Sequence, residues 1–259
     1  MEQKVIMTDT RKLDYFYEEA IKTLRTNIQF SGRKMRVILV TSCYPDEGKS
    51  DIAFSLSVEM GKMGKNVLLV DADIRKSTYI KRYDINQRVF GLSQYLSGQI
   101  DRQWITYETN YPNVNMIFAG PVAPNPSELL GDVAFHELLE EKKDEFDYIF
   151  IDTSPMANMS DAAVVAQYSD GAVLVVESQA VSYKVAQKVK SQLERSGCTI
   201  LGAVLNKVDM QRDKYYASYY GRYGGYYRKK GGKHYGYVPE ADSQARKKQR
   251  KGSGPGGEE

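Results

Sequence analysis

Val37-Ile38-Leu39-Val40-Thr41 is an apolar run ending on threonine, and it leads directly into Ser42-Cys43-Tyr44-Pro45-Asp46-Glu47-Gly48-Lys49-Ser50. The run reads as a buried strand, and a helical pattern over 52–63 follows. A strand, a turn closing on Gly-Lys-Ser and a helix form a near match to the phosphate-binding loop G-x-x-x-x-G-K-[ST], with Cys43 in place of the first glycine. Backbone N–H groups of such a loop, together with the helix N-terminus, can surround a polyphosphate. A lysine at a helix start opposes the helix dipole unless an anion binds there. Lys49 is therefore expected on the β- and γ-phosphates, and the Ser50 hydroxyl on magnesium. The expected nucleotide-lining set is Asp46, Glu47, Gly48, Lys49, Ser50 and Asp51, with ATP and Mg2+ as ligands.

Outward from this loop, Val-, Ile- and Leu-rich runs recur at 66–71, 114–118, 148–152, 172–177 and 200–206. They are mostly apolar on both faces, as strands of a parallel sheet covered on both sides are. Helical patterns at 128–143, 162–168 and 183–195 alternate with them. The expected fold is α/β: a doubly wound, mainly parallel, P-loop NTPase-like sheet with helices on both faces. Ligands in such sheets bind beyond the carboxyl ends of the strands. Two more strand ends are polar there. Val70-Asp71-Ala72-Asp73-Ile74-Arg75 places two carboxylates just past a buried strand, which is costly unless a cation or a transferable proton is near. Ile149-Phe150-Ile151-Asp152 is a hydrophobic strand closing on aspartate, the Walker B pattern that holds magnesium directly or through water. Asp71, Asp73 and Asp152 with Ser50 form the expected metal set, and Lys49 with the three aspartates the catalytic set.

The net charge of +3 conceals an asymmetry. Residues 210–259 carry twelve Lys and Arg against five Asp and Glu, whereas the first 209 residues are net acidic. Nine of the chain's 20 tyrosines fall in this basic, glycine-rich stretch: Tyr215, Tyr216, Tyr219, Tyr220, Tyr223, Tyr226, Tyr227, Tyr235 and Tyr237. Too little apolar sequence surrounds them to bury their rings, so they are expected as exposed phosphate acceptors. The division expected is an N-terminal segment at 1–35, a P-loop domain at 36–209 and a flexible tail at 210–259. The N-terminal segment contains an amphipathic helix over 14–30. Two cysteines, Cys43 and Cys198, provide neither a disulfide framework nor zinc spacing. With no run long enough to span a bilayer and no signal-peptide pattern, a cytoplasmic location is expected.

The relaxed P-loop with Pro45, the D-x-D-x-R segment at Asp71, Asp73 and Arg75, the Walker B aspartate and the tyrosine tail together resemble the bacterial tyrosine kinases (BY-kinases). The resemblance is to the free-standing cytoplasmic kinase subunit of capsule and exopolysaccharide synthesis, and it spans about residues 10–209 plus the tail. It implies an ATP-dependent tyrosine autokinase. Asp71 would be the base for the tyrosine hydroxyl, Asp73 and Asp152 would hold or orient the metal, and Arg75 would fix the loop. It also implies ring-like self-association through E-x-x-R-x-x-R, matched by Glu19, Lys22 and Arg25 with lysine in the middle slot, which lacks the guanidinium fork. Asn206 matches the segment that borders the base in related ATPases. The implied partners are a separate membrane-anchored activator, recruiting the chain to the inner face of the plasma membrane, and protein tyrosine substrates. No nucleic acid is expected.

Asp51 departs from the family, in which threonine faces the α-phosphate. A carboxylate about 5 Å from a phosphate at an effective dielectric near 20 costs roughly 3 kcal/mol. Either Asp51 turns away or nucleotide binding weakens. Two alternatives stand beside the kinase. One is a partitioning or cell-division type ATPase switch, whose loops carry an extra lysine where this chain has Ser42, Cys43 and Tyr44. The other is a nucleotide-sensing scaffold without kinase activity.

Overall fold

The structure is a computed structural model, and it describes residues 3–209. The chain divides into two units, Met1–Lys207 and Val208–Glu259. The nine tail tyrosines lie outside the described residues.

In chain order the first unit runs β1 (Gln3–Val5), α1 (Tyr15–Phe30), β2 (Val37–Ser42), α2 (Lys49–Lys62), β3 (Val67–Asp71), α3 (Tyr79–Arg82), α4 (Leu92–Leu96), β4 (Thr106–Thr109), β5 (Val114–Ile117), α5 (Pro126–Leu130), α6 (Val133–Glu145), β6 (Tyr148–Asp152), α7 (Asp161–Ala166), β7 (Gly171–Glu177), α8 (Tyr183–Arg195) and β8 (Thr199–Asn206). The eight strands form one sheet in the order β1-β4-β5-β3-β6-β2-β7-β8. Every pair is parallel except β4 with β5. β2 thus lies between β6 and β7, and its carboxyl end is flanked by theirs.

Alternate residues of the central strands feed opposite cores. Val37 and Leu39 pack with Phe135, Leu138 and Val189 from α6 and α8 on one face. Ile38 and Val40 pack with Ile21 and Ile28 from α1 and Ile52 and Leu56 from α2 on the other. Full burial of β2, β3 and most of β6 follows from covering both faces, as continuous apolar strands require. The N-terminal segment is part of this unit, since α1 lies against α2. Asp14 caps α1 by accepting the Tyr17 N–H at 2.7 Å.

Several elements differ from expectation. The single helix expected over 128–143 is two, α5 and α6, because Gly131 ends the first and the Asp132 carboxylate caps the second through the Ala134 N–H at 2.9 Å. β8 is not covered on both faces: it is an edge strand, and Gly202, Ala203 and Leu205 are exposed. β1, β4, α3 and α4 were not anticipated. Each has three to five residues, too few for a periodic signal.

Candidate active site

The loop from Ser42 to Lys49 joins the carboxyl end of β2 to the first turn of α2. Asp46 and Gly48 adopt left-handed backbone, with φ of 64° and 92°. At Gly48 a Cβ would meet the Asn206 amide nitrogen at 2.2 Å, so the position demands glycine twice over. Asn206, at the end of β8, donates that amide to the Glu47 carbonyl at 2.8 Å. It therefore touches the loop backbone itself. Cys43, where the motif has its first glycine, is fully buried, and burial followed by the nearby Glu47 charge lifts its thiol to about 11.

Glu47 was expected to line the nucleotide, but its side chain turns inward and is buried. One carboxylate oxygen accepts the Tyr44 N–H at 2.6 Å and the other the Glu177 N–H at 3.0 Å. The loop is thereby tied to the end of β7. Asp46 stands exposed at the loop tip.

Asp71 and Asp152 are register partners on β3 and β6, and both are buried. Asp73 follows two residues later, also buried. Lys49 reaches toward this group, its Nζ 3.5 Å from Asp73 Oδ2 and 3.5 Å from the Ser50 hydroxyl. Burial opposes the lysine's charge, but the pull of Asp152, Asp73 and Asp71 outweighs it and raises its pKa. Asp71 is pushed up to about 8, first by burial and next by the Asp152 charge. Ser77 donates its hydroxyl to Asp71 Oδ2 at 2.5 Å and the Asp73 N–H reaches Oδ1 at 3.3 Å. Asp152 is also raised, by burial first, with Lys49 opposing. Neither of its oxygens has a hydrogen-bond partner. The Ser50 and Tyr79 hydroxyls stand close enough to pull its pKa down against burial, and Tyr79 donates its hydrogen to the Ser50 carbonyl at 3.1 Å. Buried carboxylate oxygens without partners are costly and call for a cation or its bound water.

No group of three or more His, Cys, Asp or Glu side chains has closed into a metal cage among the described residues. Mg2+ keeps several waters and takes one or two carboxylates plus phosphate oxygens. Asp152 and Ser50, with Asp71 and Asp73 adjacent, are the residues of this chain that fit it.

The Asp51 side chain is engaged elsewhere: its Oδ1 accepts from Arg11 at 2.9 Å and Arg82 at 2.7 Å. Arg11 also pairs with Asp9 and lies over the rings of Phe54 and Tyr83. Arg75 grips buried Asp161, with Nε at 2.5 Å and Nη2 at 2.9 Å, and Asp161 also receives the Ser127 and Ser154 hydroxyls. Sequence reading did not identify Arg11, Arg82, Ser77 or Asp161. On α1, Lys22 pairs with Glu19 at 2.7 Å within the helix, and Arg25 pairs with Glu59 of α2 at 3.5 Å.

A P-loop on a doubly wound sheet, with a lysine among three buried aspartates, defines a nucleotide-dependent phosphoryl-transfer protein of the P-loop class. The AAA domain family matches residues 35–196. The chain is 39% identical over 209 residues to tyrosine-protein kinase CpsD of Streptococcus agalactiae, covering 81% of this chain and 89% of that one. The kinase domain of Escherichia coli tyrosine kinase ETK superposes with a TM-score of 0.71 at 30% identity, over 85% of this chain and 80% of that one. The septum site-determining protein MinD of Pyrococcus horikoshii, complexed with Mg-ADP, matches less closely, with a TM-score of 0.58 at 26% identity over 69% and 72% of the two chains. The chain belongs to the bacterial tyrosine kinases and is a protein-tyrosine kinase.

Proposed function

We propose that this kinase phosphorylates the tyrosines of its own tail, from Tyr215 to Tyr237, in a neighbouring copy of the chain, and that it does so in capsule or exopolysaccharide synthesis. The observation that carries the reading is Lys49 held among buried Asp71, Asp73 and Asp152 at the mouth of the loop, in a chain whose tail holds nine tyrosines.

ATP is the substrate, cradled by the backbone N–H groups from Asp46 to Asp51. Lys49 meets the negative charge that develops on the transferred group, a contribution made by position rather than by covalent chemistry. Asp71 accepts the tyrosine proton. Its raised pKa makes it a better base than an exposed aspartate, and Ser77 keeps it aimed. Mg2+, when bound at Asp152 and Ser50, supplies neutralisation of phosphate charge. Glu47 and Asn206 hold the loop in shape, and Asn206 also borders the base.

Transfer between copies is supported by the opposite charges of body and tail and by the Glu19, Lys22 and Arg25 motif. In the assembled ring those three residues exchange their present partners within the chain for partners on the neighbour. No helix among the described residues is long and apolar enough to cross a membrane. A separate membrane-anchored activator recruits the kinase to the inner face of the plasma membrane.

The test mixes a Lys49→Met chain with a chain whose nine tail tyrosines are all phenylalanine. Phosphotyrosine on the Lys49→Met tail is expected. Its absence, with the unmutated chain active alone, would confine transfer to one copy.

A further inference from the structure

Beside the catalytic strand β6, a groove of about 800 Å³ opens between residues 156–160 and α8. Three cations line it: Lys184, Lys188 and Arg195. At 3.6 residues per turn these positions fall on one face of α8. No carboxylate lines the groove, and none of the three cations has an ion-pair partner among the described residues. By contrast Lys190, turned to another face, is paired with Glu194. Stacked like charges on one helix face repel each other, so the face is destabilised until an anion arrives. Half-buried Met159 gives the groove an apolar, polarisable flank, a surface suited to an aromatic ring. Its floor is coupled to the nucleotide loop, because the Met156 and Ala157 N–H groups donate to the Ser42 and Cys43 carbonyls at 2.9 and 3.0 Å.

We propose that this groove binds phosphotyrosine in the tail of this chain, a site for the kinase's own product, and the proposal rests on the autokinase reading above. Charge is the argument for this occupant. The unmodified tail is net +7 and is repelled by the groove. Each phosphotyrosine adds roughly −1.5 to −2, so about four of them cancel the tail's positive charge. Phosphorylation thus converts the tail from a poor ligand to a good one. A phenyl phosphate fits a concave site that offers cations on one wall and Met159 on the other. A flat anionic membrane makes no use of that concavity.

The experiment measures fluorescence anisotropy of a synthetic peptide covering residues 213–229, with phosphate on Tyr215, Tyr216, Tyr219 and Tyr220, titrated with the full unphosphorylated chain. The phosphopeptide is expected to bind at least about tenfold more tightly than the same peptide without phosphate, and Lys184→Glu/Lys188→Glu is expected to remove that advantage. Lys184→Gln/Lys188→Gln, which removes charge without reversing it, should fall between. Equal phosphopeptide binding by the parent chain and both variants would overturn the proposal. So would loss of binding to phosphatidylglycerol vesicles in the variants with no phosphopeptide binding by any form, which would assign the face to a membrane. The peptide's phosphate is synthetic, so failure of the autokinase reading would appear separately, as a chain that makes no phosphotyrosine from Mg-ATP.

Discussion

Asp71 and Asp152 stand directly opposite each other on β3 and β6, both buried, with the nearest cation, Lys49, shared with Asp73. Two adjacent carboxylates in a dry site cannot both ionise freely. Either one holds a proton or a cation joins them.

The first prediction concerns the proton on Asp71. Its carboxyl titrates near 8 in the folded chain and near 3.9 unfolded. Between those values the folded state binds a proton that the unfolded state has lost. Stability therefore falls as pH rises from about 4, and the loss is complete above about 8. Asp71→Asn removes this penalty. Its melting temperature should exceed that of the parent at about pH 9, and the margin should shrink toward about pH 4. An equal margin at both would mean that Asp71 is ionised throughout.

Gly48→Ala should abolish nucleotide binding. The left-handed backbone there costs a non-glycine residue about 1 kcal/mol or more, and the new methyl would displace the Asn206 amide from the Glu47 carbonyl. Adding Asn206→Ala relieves the clash but not the backbone strain, so the double variant should recover only part of the ADP affinity, as calorimetry would read it. Full recovery would reduce the glycine's role to making room for Asn206.

Asp51 follows the loop serine, where the resemblance implies a threonine. With Arg11 and Arg82 on its carboxylate, it does not present an unbalanced charge to the phosphates. Asp51→Thr leaves two guanidiniums without this partner. It should lower stability by about 1 kcal/mol, less at high salt, and tighten ADP binding through the added positive charge. An unchanged dissociation constant would place all three charges too far from the phosphates to act.

Asp161→Ala should cost about 2 kcal/mol by stranding Arg75, Ser127 and Ser154, with Arg75 exposed enough to be rehydrated. Although burial raises it, the bonds from Arg75 and Ser127 hold the Asp161 carboxyl below its ordinary range. Its contribution is present above about pH 4 and is lost as pH falls further. The gap between variant and parent in chemical denaturation should close in acid, and a pH-independent gap would contradict the ion pair.

The gathering of Lys49 with Asp71, Asp73 and Asp152 was legible because each signal is local. Asp71-Ala72-Asp73 and Ile151-Asp152 stand at the ends of apolar strands and Gly48-Lys49-Ser50 opens the helix after another, so strand, turn and helix periodicities change at these residues. What stayed hidden depends on distance along the chain. Arg11 and Arg82 reach Asp51 across 40 and 31 residues, and Arg75 reaches Asp161 across 86, so no spacing rule connects them. Glu47 shows a different limit. Its place in the loop reads as ligand contact, but the direction of its side chain depends on where β7 ends. The Asp132 cap inside the expected helix at 128–143 was present in the sequence as Gly131-Asp132, outweighed by the apolar periodicity on either side.

The most direct test of the kinase and its proposed acceptor is mass spectrometry of the purified full chain after incubation with Mg-ATP, with and without the cytoplasmic peptide of the proposed membrane-anchored activator, beside Lys49→Met. The proposed tail autophosphorylation predicts phosphotyrosine on the peptides covering residues 215–237, reduced at least about a hundredfold in Lys49→Met. ADP formation without phosphotyrosine, even with the activator peptide, would contradict the account and leave a nucleotide-driven switch in its place.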